Sequence, residues 1–201
     1  QRGGDDTLPA VDLQGTLDLI DAARAAGVKR FIYTSAIGAL QGHPVPLFDI
    51  KGTCEVALAR SGLEYTILQP AVYMEIWIGI VVGVPLMLQQ PVTLIGRGDH
   101  HQNFISEADV AAFAIATVDN PRAANQRIVL GGPASYTWTE IVDAVGRTLG
   151  APLAVNYLPP GSEPPLLPPG IGTLLNAMET FETFVDMHET APAYSVRLTT
   201  L

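Results

Sequence analysis

Apolar positions along the chain follow two rhythms. From Pro9 onward, Val11, Leu13, Leu17, Ile20 and Ala23 fall near one helix face, with Pro9 suited to the first turn and Gly27 to the C-terminal cap. Phe31-Ile32-Tyr33-Thr34 is then a short β-rich run without polar alternation, which predicts a strand buried on both faces. Residues 35–48 hold two Gly and two Pro and read as a loop. Ile50 to Arg60 reads as a helix stopped by Gly62, and Tyr65-Thr66-Ile67-Leu68 as a second buried strand closed by Pro70.

The apolar stretch Ala71–Leu88 approaches the length of a membrane span. It is interrupted by Glu75 and Pro85 and holds Gly79 and Gly83, so the expected structure is a buried helix after a strand. Val92-Thr93-Leu94-Ile95 is a further strand, followed by a turn at Gly96–Asp99. A helix capped by Ser106 runs to about Asp119, Gln126–Leu130 is a strand, and Thr137 or Thr139 caps a helix ended by Gly150. Residues 158–170 carry six prolines and read as a surface loop or linker; a helical segment is expected around Leu174–Met187. Residues 1–8 are polar and read as frayed. Strands alternating with helices predict parallel βαβ units, an α/β fold.

Composition narrows the partners. The 201 residues carry a formal net charge of −9, which argues against nucleic acid or an anionic membrane surface. Hydrophobic residues make up 48% and charged residues 15%, the balance of a globular chain rather than a disordered one. Cys54 is the single cysteine, so no disulfide framework or cysteine metal site exists, and a reducing cytoplasm fits best. Only two lysines occur, Lys29 and Lys51, which makes each worth a question.

The segments Gly27-Val28-Lys29-Arg30-Phe31-Ile32-Tyr33-Thr34-Ser35-Ala36, Lys51 with Glu55 and Leu58, and Ser61–Pro70 resemble the NmrA-like branch of the short-chain dehydrogenase/reductase superfamily. Asn103–Ala111, Ile128–Gly132 and Thr137–Glu140 extend the resemblance over nearly the whole chain. It implies a partial Rossmann-like fold: a doubly wound parallel sheet lacking its first βαβ units. Residues 1–131 would form the dinucleotide-binding core and residues 132–201 a small helical, Pro-rich, substrate-side region. The family's Gly-rich turn after the first strand, where only Gly lets backbone approach a pyrophosphate, does not precede Val11. The sequence is therefore expected to be a fragment, with an uncovered sheet edge that favours self-association.

The superfamily uses a Tyr four residues before its Lys, since i and i+4 share a helix face. Here that position is Leu47, which cannot transfer a proton. The resemblance implies that Lys51 binds nicotinamide ribose hydroxyls; the plain alternative is a surface lysine beside Glu55. Thr34 and Ser35 end a parallel strand where ligands of open α/β sheets bind, or are satisfied turn hydroxyls. By resemblance the loop Gln69-Pro70-Ala71-Val72-Tyr73 backs the nicotinamide. Tyr73 is then a substitute proton donor, a stacking wall or a half-buried core aromatic. Met74 and Trp77 face substrate or pack in the core.

Asp99-His100-His101 invites a metal reading, but adjacent strand histidines point to opposite faces and no further His or Cys lies nearby, so no metal is expected. The implied cofactor is NADP or NAD, with NADPH favoured by family habit, and the implied activity is reduction of a small quinone- or enone-like acceptor. The rival reading is a non-catalytic dinucleotide sensor that binds protein partners. A third is a truncated chain that binds no cofactor.

Overall fold

The computed structural model describes residues 7–168 and 170–201. Most of the polar segment 1–8 and Pro169 of the proline-rich loop lie outside the described residues. Two compact units divide the chain non-contiguously. One comprises the described residues of Gln1–Ala71 with Ala108–Leu130 and His188–Arg197; the other comprises Val72–Glu107, Gly131–Met187 and Leu198–Leu201. Residues 72–107, grouped by sequence with the core ending at 131, thus cluster with the C-terminal region instead.

In the first unit, β1 (Arg30–Thr34), β2 (Glu64–Pro70) and β6 (Gln126–Leu130) form a parallel sheet in the order β1-β2-β6. Phe31 pairs with Tyr65, Thr34 with Leu68, and Leu68 with Ile128. Central β2 is the strand buried on both faces, with Ile67 and Leu68 fully inaccessible. β1 is only half-buried, against the expectation, because among the described residues it pairs on one side alone. The helix α1 (Thr16–Ala25), entered through a wide π-helical turn at Pro9–Gly15, places Ile20 against Leu58 and Ile67. Burying each such side chain contributes about 1.5–3 kcal/mol. Val11, expected on the same face, is exposed. Arg30 fixes the start of β1: its guanidinium donates to the carbonyls of Thr117, Val118 and Asn120 and pairs with Glu64 at 2.7 Å. A cation there complements the C-terminal dipole of the helix ending at Thr117.

Helix α2 spans Pro46–Arg60, starting four residues before the expected Ile50. Val45 is extended, its amide donates to His43 Nδ1 at 3.0 Å, and Pro46 has the φ that a first helical turn needs. Gly52 lets the preceding loop lie directly on α2, since a Cβ there would sit 2.3 Å from the Leu40 carbonyl carbon.

The second unit begins with β3 (Val72–Tyr73) and α3 (Met74–Ile78), then a π-helical turn (Gly79–Gly83) and α4 (Val84–Met87). β4 (Val92–Ile95), β5 (Gln102–Ile105), β7 (Ser135–Tyr136), α6 (Trp138–Leu149), β8 (Val155–Leu158) and α7 (Ile171–Met178) follow. The first unit also holds α5 (Glu107–Thr117, from Ala108 on), which precedes β6, and α8 (Thr190–Ala193). β3 and β5 pair in parallel, as do β4 and β8, while β7 runs antiparallel to β5.

The apolar stretch at 71–88, expected as one buried helix after a strand, instead opens with a short strand and breaks into three helical pieces, with Ile76, Met87 and Leu88 exposed. Among the described residues no helix is long and apolar enough to cross a membrane. β5 escaped the periodicity reading because Gln102 and Asn103 disguise a fully buried strand. Their amides are satisfied internally: Gln102 donates to the carbonyls of Met178 (3.1 Å) and Phe181 (2.8 Å), and Asn103 accepts from the Gly132 amide at 2.8 Å. Helix α6 begins with the expected cap: Thr137 and Glu140 form a reciprocal capping box, and Gly150 ends it in the left-handed conformation. The last expected helix is shorter than residues 174–187. α7 stops at Met178, and residues 181–187 are not helical.

Candidate functional site

The carboxyl ends of β1 and β2 lie side by side, the place where open α/β sheets bind ligands. The chain leaving β1 continues along β2: the Ser35 amide donates to the Leu68 carbonyl at 2.7 Å, and the Ile37 amide to the Pro70 carbonyl at 3.0 Å. Ser35 is buried, yet among the described residues its hydroxyl has no hydrogen-bond partner. Leaving such a group unpaired costs about 1–3 kcal/mol, so the Ser35 hydroxyl is a polar group with hydrogen-bonding capacity to spare.

Lys51 reaches the same end from α2. Its Nζ donates to the Thr34 carbonyl at 3.1 Å and lies 5.5 Å from the centre of the Tyr33 ring. One ammonium hydrogen is thereby engaged, and an ammonium has three to donate. Burial holds the Lys51 pKa below its ordinary value, with the negative ends of Asp12, Cys54 and Glu55 opposing. Burial likewise pushes the Tyr33 hydroxyl well above its usual range, reinforced by Cys54. Cys54 is fully buried, and burial raises its thiol, the environment of an inert cysteine. Tyr33 is the neighbour of Lys51 that sequence reasoning missed, because pairing a strand residue with a residue 18 positions on requires the fold.

Other candidates are already engaged. The Gln69 amide donates to Glu55 Oε1 at 2.8 Å, and Glu55 also pairs with Arg127 at 2.9 Å. Gln69 is thus a structural partner of a buried carboxylate rather than a free ligand group. Pro70 and Ala71 are buried, with the Ala71 amide on the Leu130 carbonyl at 2.8 Å; they shape the strand end through backbone. Thr34 offers its carbonyl to Lys51 while its residue surface is exposed.

The remaining candidates belong to the second unit. Val72 and Tyr73 form β3, paired with Phe104 and Ile105. Tyr73 is half-buried, and burial together with Glu107 raises its hydroxyl pKa. Met74 belongs to the buried core with Val81, Phe104, Trp138 and Leu175, and Trp77 packs against that core. Of the two readings for Met74 and Trp77, the contacts favour core packing: Met74 is buried within one apolar cluster, and Trp77, partly buried, packs against it.

Helices alternating with strands of a parallel sheet define an α/β fold of the Rossmann-like kind. The chain belongs to the NmrA-like family, which it matches over residues 10–199. It is 33% identical over 153 residues to photosystem II assembly factor Ycf39 of Synechocystis sp. (strain ATCC 27184 / PCC 6803 / Kazusa), covering 76% of this chain and 46% of that protein. The crystal structure of an NADPH-dependent quinone oxidoreductase from Escherichia coli superposes with a TM-score of 0.74 at 25% identity, covering 92% of this chain and 69% of that one. The triphenylmethane reductase of Citrobacter sp., complexed with NADP(H), shares the fold with a TM-score of 0.79 at 18% identity, covering 99% of this chain and 71% of that one. The chain spans about half the length of the curated relatives it matches.

Proposed function

We propose that this chain supplies the nicotinamide-side part of an NAD(P)H-dependent reductase acting on a small, electron-poor acceptor of the quinone or enone kind. The observation that carries the reading is that Lys51 is held on the last carbonyl of β1 and that the next residue, Ser35, is buried with a hydroxyl unpartnered among the described residues. Ser35 and the two ammonium hydrogens that Lys51 does not give to Thr34 fit the hydroxyl-rich ribose of a dinucleotide. NADPH is preferred to NADH on family habit and on the NADPH-dependent oxidoreductase among the structural relatives. Bound reduced nicotinamide supplies a hydride to the acceptor.

Lys51 orients the cofactor, and the Thr34 carbonyl holds the ammonium in place. Leu47 occupies the helix position where the superfamily keeps its proton-donating tyrosine, which suits an acceptor that needs little help from a protein acid. Burial and Glu107 raise the Tyr73 hydroxyl pKa, which makes Tyr73 a weaker acid than an ordinary tyrosine, and the proton that completes reduction is proposed to come from solvent. The edge of β1 left unpaired among the described residues is the proposed surface for self-association, and a reducing, cytoplasmic setting suits the lone buried Cys54.

The test is NADPH binding and acceptor-dependent NADPH oxidation by the intact protein, before and after Lys51→Ala. Turnover with a quinone, and a loss of NADPH affinity of about tenfold or more in the variant, support the reading. Unchanged affinity in Lys51→Ala removes the site assignment. A second reading, a dinucleotide sensor that binds protein partners, is favoured by Leu47 and by the relatives named as photosystem II assembly factors. Tight NADPH binding without turnover on any acceptor selects it.

A further inference from the structure

The turn after β4 has a second chemistry, independent of the strand-end site. Gly96 and Gly98 adopt positive φ (61° and 63°) and turn the chain so that it presents Asp99 and His100. Glu179, just past α7, closes on this turn: the amides of Arg97 and Gly98 donate to its carboxylate. Gly96 is required there, since a Cβ would stand 2.1 Å from Glu179 Oε2. His100 Nδ1 then faces two carboxylates, 3.6 Å from Asp99 Oδ1 and 3.8 Å from Glu179 Oε2. One ligand atom from each of the three residues lies within 4.8 Å of the others.

These separations do not belong to a hydrogen-bonded network. The neighbouring His101 shows what one looks like: its Nδ1 is 3.0 Å from Glu182 Oε1. His100 Nδ1, by contrast, is buried and makes no hydrogen bond among the described residues. Two ligands each about 2.1 Å from a tetrahedral ion stand roughly 3.4 Å apart, close to the observed spacings. Arg97 pairs with Asp99 through Oδ2 at 2.7 Å, which leaves Oδ1 facing His100.

We propose that Asp99, His100 and Glu179 form a binding site for a divalent first-row transition-metal ion of the Zn2+ type. One imidazole and two carboxylates neutralise such an ion and supply the mixed nitrogen and oxygen set it takes. A surface cavity of about 410 Å³, lined by Arg97, Asp99, His100, Thr180, Phe181 and Glu182, gives an entry path and leaves a coordination position for water or an anion. The reading of adjacent histidines alone fails because His101 belongs to Glu182, and the third ligand comes from the far side of the proline-rich loop.

The test is calorimetric titration of the metal-stripped, tag-free protein with Zn2+ at neutral pH, beside His100→Ala, Glu179→Gln and His101→Ala. One equivalent should bind with a micromolar or tighter Kd. His100→Ala and Glu179→Gln should each weaken binding about tenfold or more, and His101→Ala less than about twofold. Glu179→Gln also disturbs the amide contacts of the turn, so His100→Ala is the deciding variant. A parent Kd weaker than about 1 mM, unchanged affinity in His100→Ala, or loss confined to His101→Ala overturns the proposal.

Discussion

Two stretches that follow parallel strands invite comparison: Thr34-Ser35 after β1, with Lys51 beside it, and Val72–Trp77 through β3 into α3. Both stood as site candidates, and their side chains have opposite fates. After β1 the polar groups are gathered but incompletely engaged: a lysine with one hydrogen bond to backbone and a buried hydroxyl with none. In Val72–Trp77 the apolar side chains are absorbed by packing, with Met74 in the core and Trp77 against it. The difference teaches that two stretches in like positions after parallel strands can differ sharply in unspent hydrogen-bonding capacity, and that this capacity, rather than position, is what singles out the first as the proposed site.

The largest test of this contrast is Met74→Ala. It should cost about 2–5 kcal/mol of stability in denaturant unfolding, and the folded variant should bind NADPH as the parent does. A selective loss of affinity with stability intact would return Met74 to the site.

Lys51→Met should do the reverse, weakening NADPH binding about tenfold or more while the Tm at neutral pH stays level or rises. Burial lowers the Lys51 pKa from its ordinary 10.5, so the folded state binds fewer protons than the unfolded state as pH nears that value. The contribution of this group to stability is therefore fully present above 10.5 and is lost as pH falls through the folded pKa. The stability gap between Lys51→Met and the parent should accordingly narrow between neutral pH and pH 10, by thermal unfolding at both values. A gap that widens would mean that Lys51 is not desolvated.

A finer test is Gln69→Ala, at the end of β2. Removing its bond to the buried Glu55 should cost about 1 kcal/mol of stability and leave NADPH affinity within about twofold, which would place Gln69 with the scaffold despite its position. Smallest of all is Ser35→Ala. Stability should be unchanged or slightly higher, since an orphan hydroxyl is removed, while NADPH affinity falls a few-fold. A drop in stability without a change in affinity would show that the hydroxyl finds an internal partner.

Much of this arrangement was legible in the amino-acid order. The runs Phe31–Thr34, Tyr65–Leu68 and Gln126–Leu130 each become a strand of one parallel sheet, because β-rich, apolar runs bounded by turns have few other outcomes. The Thr137–Glu140 capping box and Gly150 delimit α6 through local backbone chemistry alone. Lys51 stood out as one of two lysines.

Long-range contacts determined the rest. β5 is a strand because distant carbonyls at Met178 and Phe181 and the Gly132 amide satisfy Gln102 and Asn103, and no local pattern reports that. β1 is half-buried because strand order left it paired on one side among the described residues. The Ser35 hydroxyl is an orphan, Gln69 is engaged by Glu55, and Glu179 lies beside His100 only through tertiary packing. Local sequence settles what the backbone can satisfy within a turn or a strand. Which polar groups are left over, and so available for chemistry, is decided by neighbours that only the folded chain supplies.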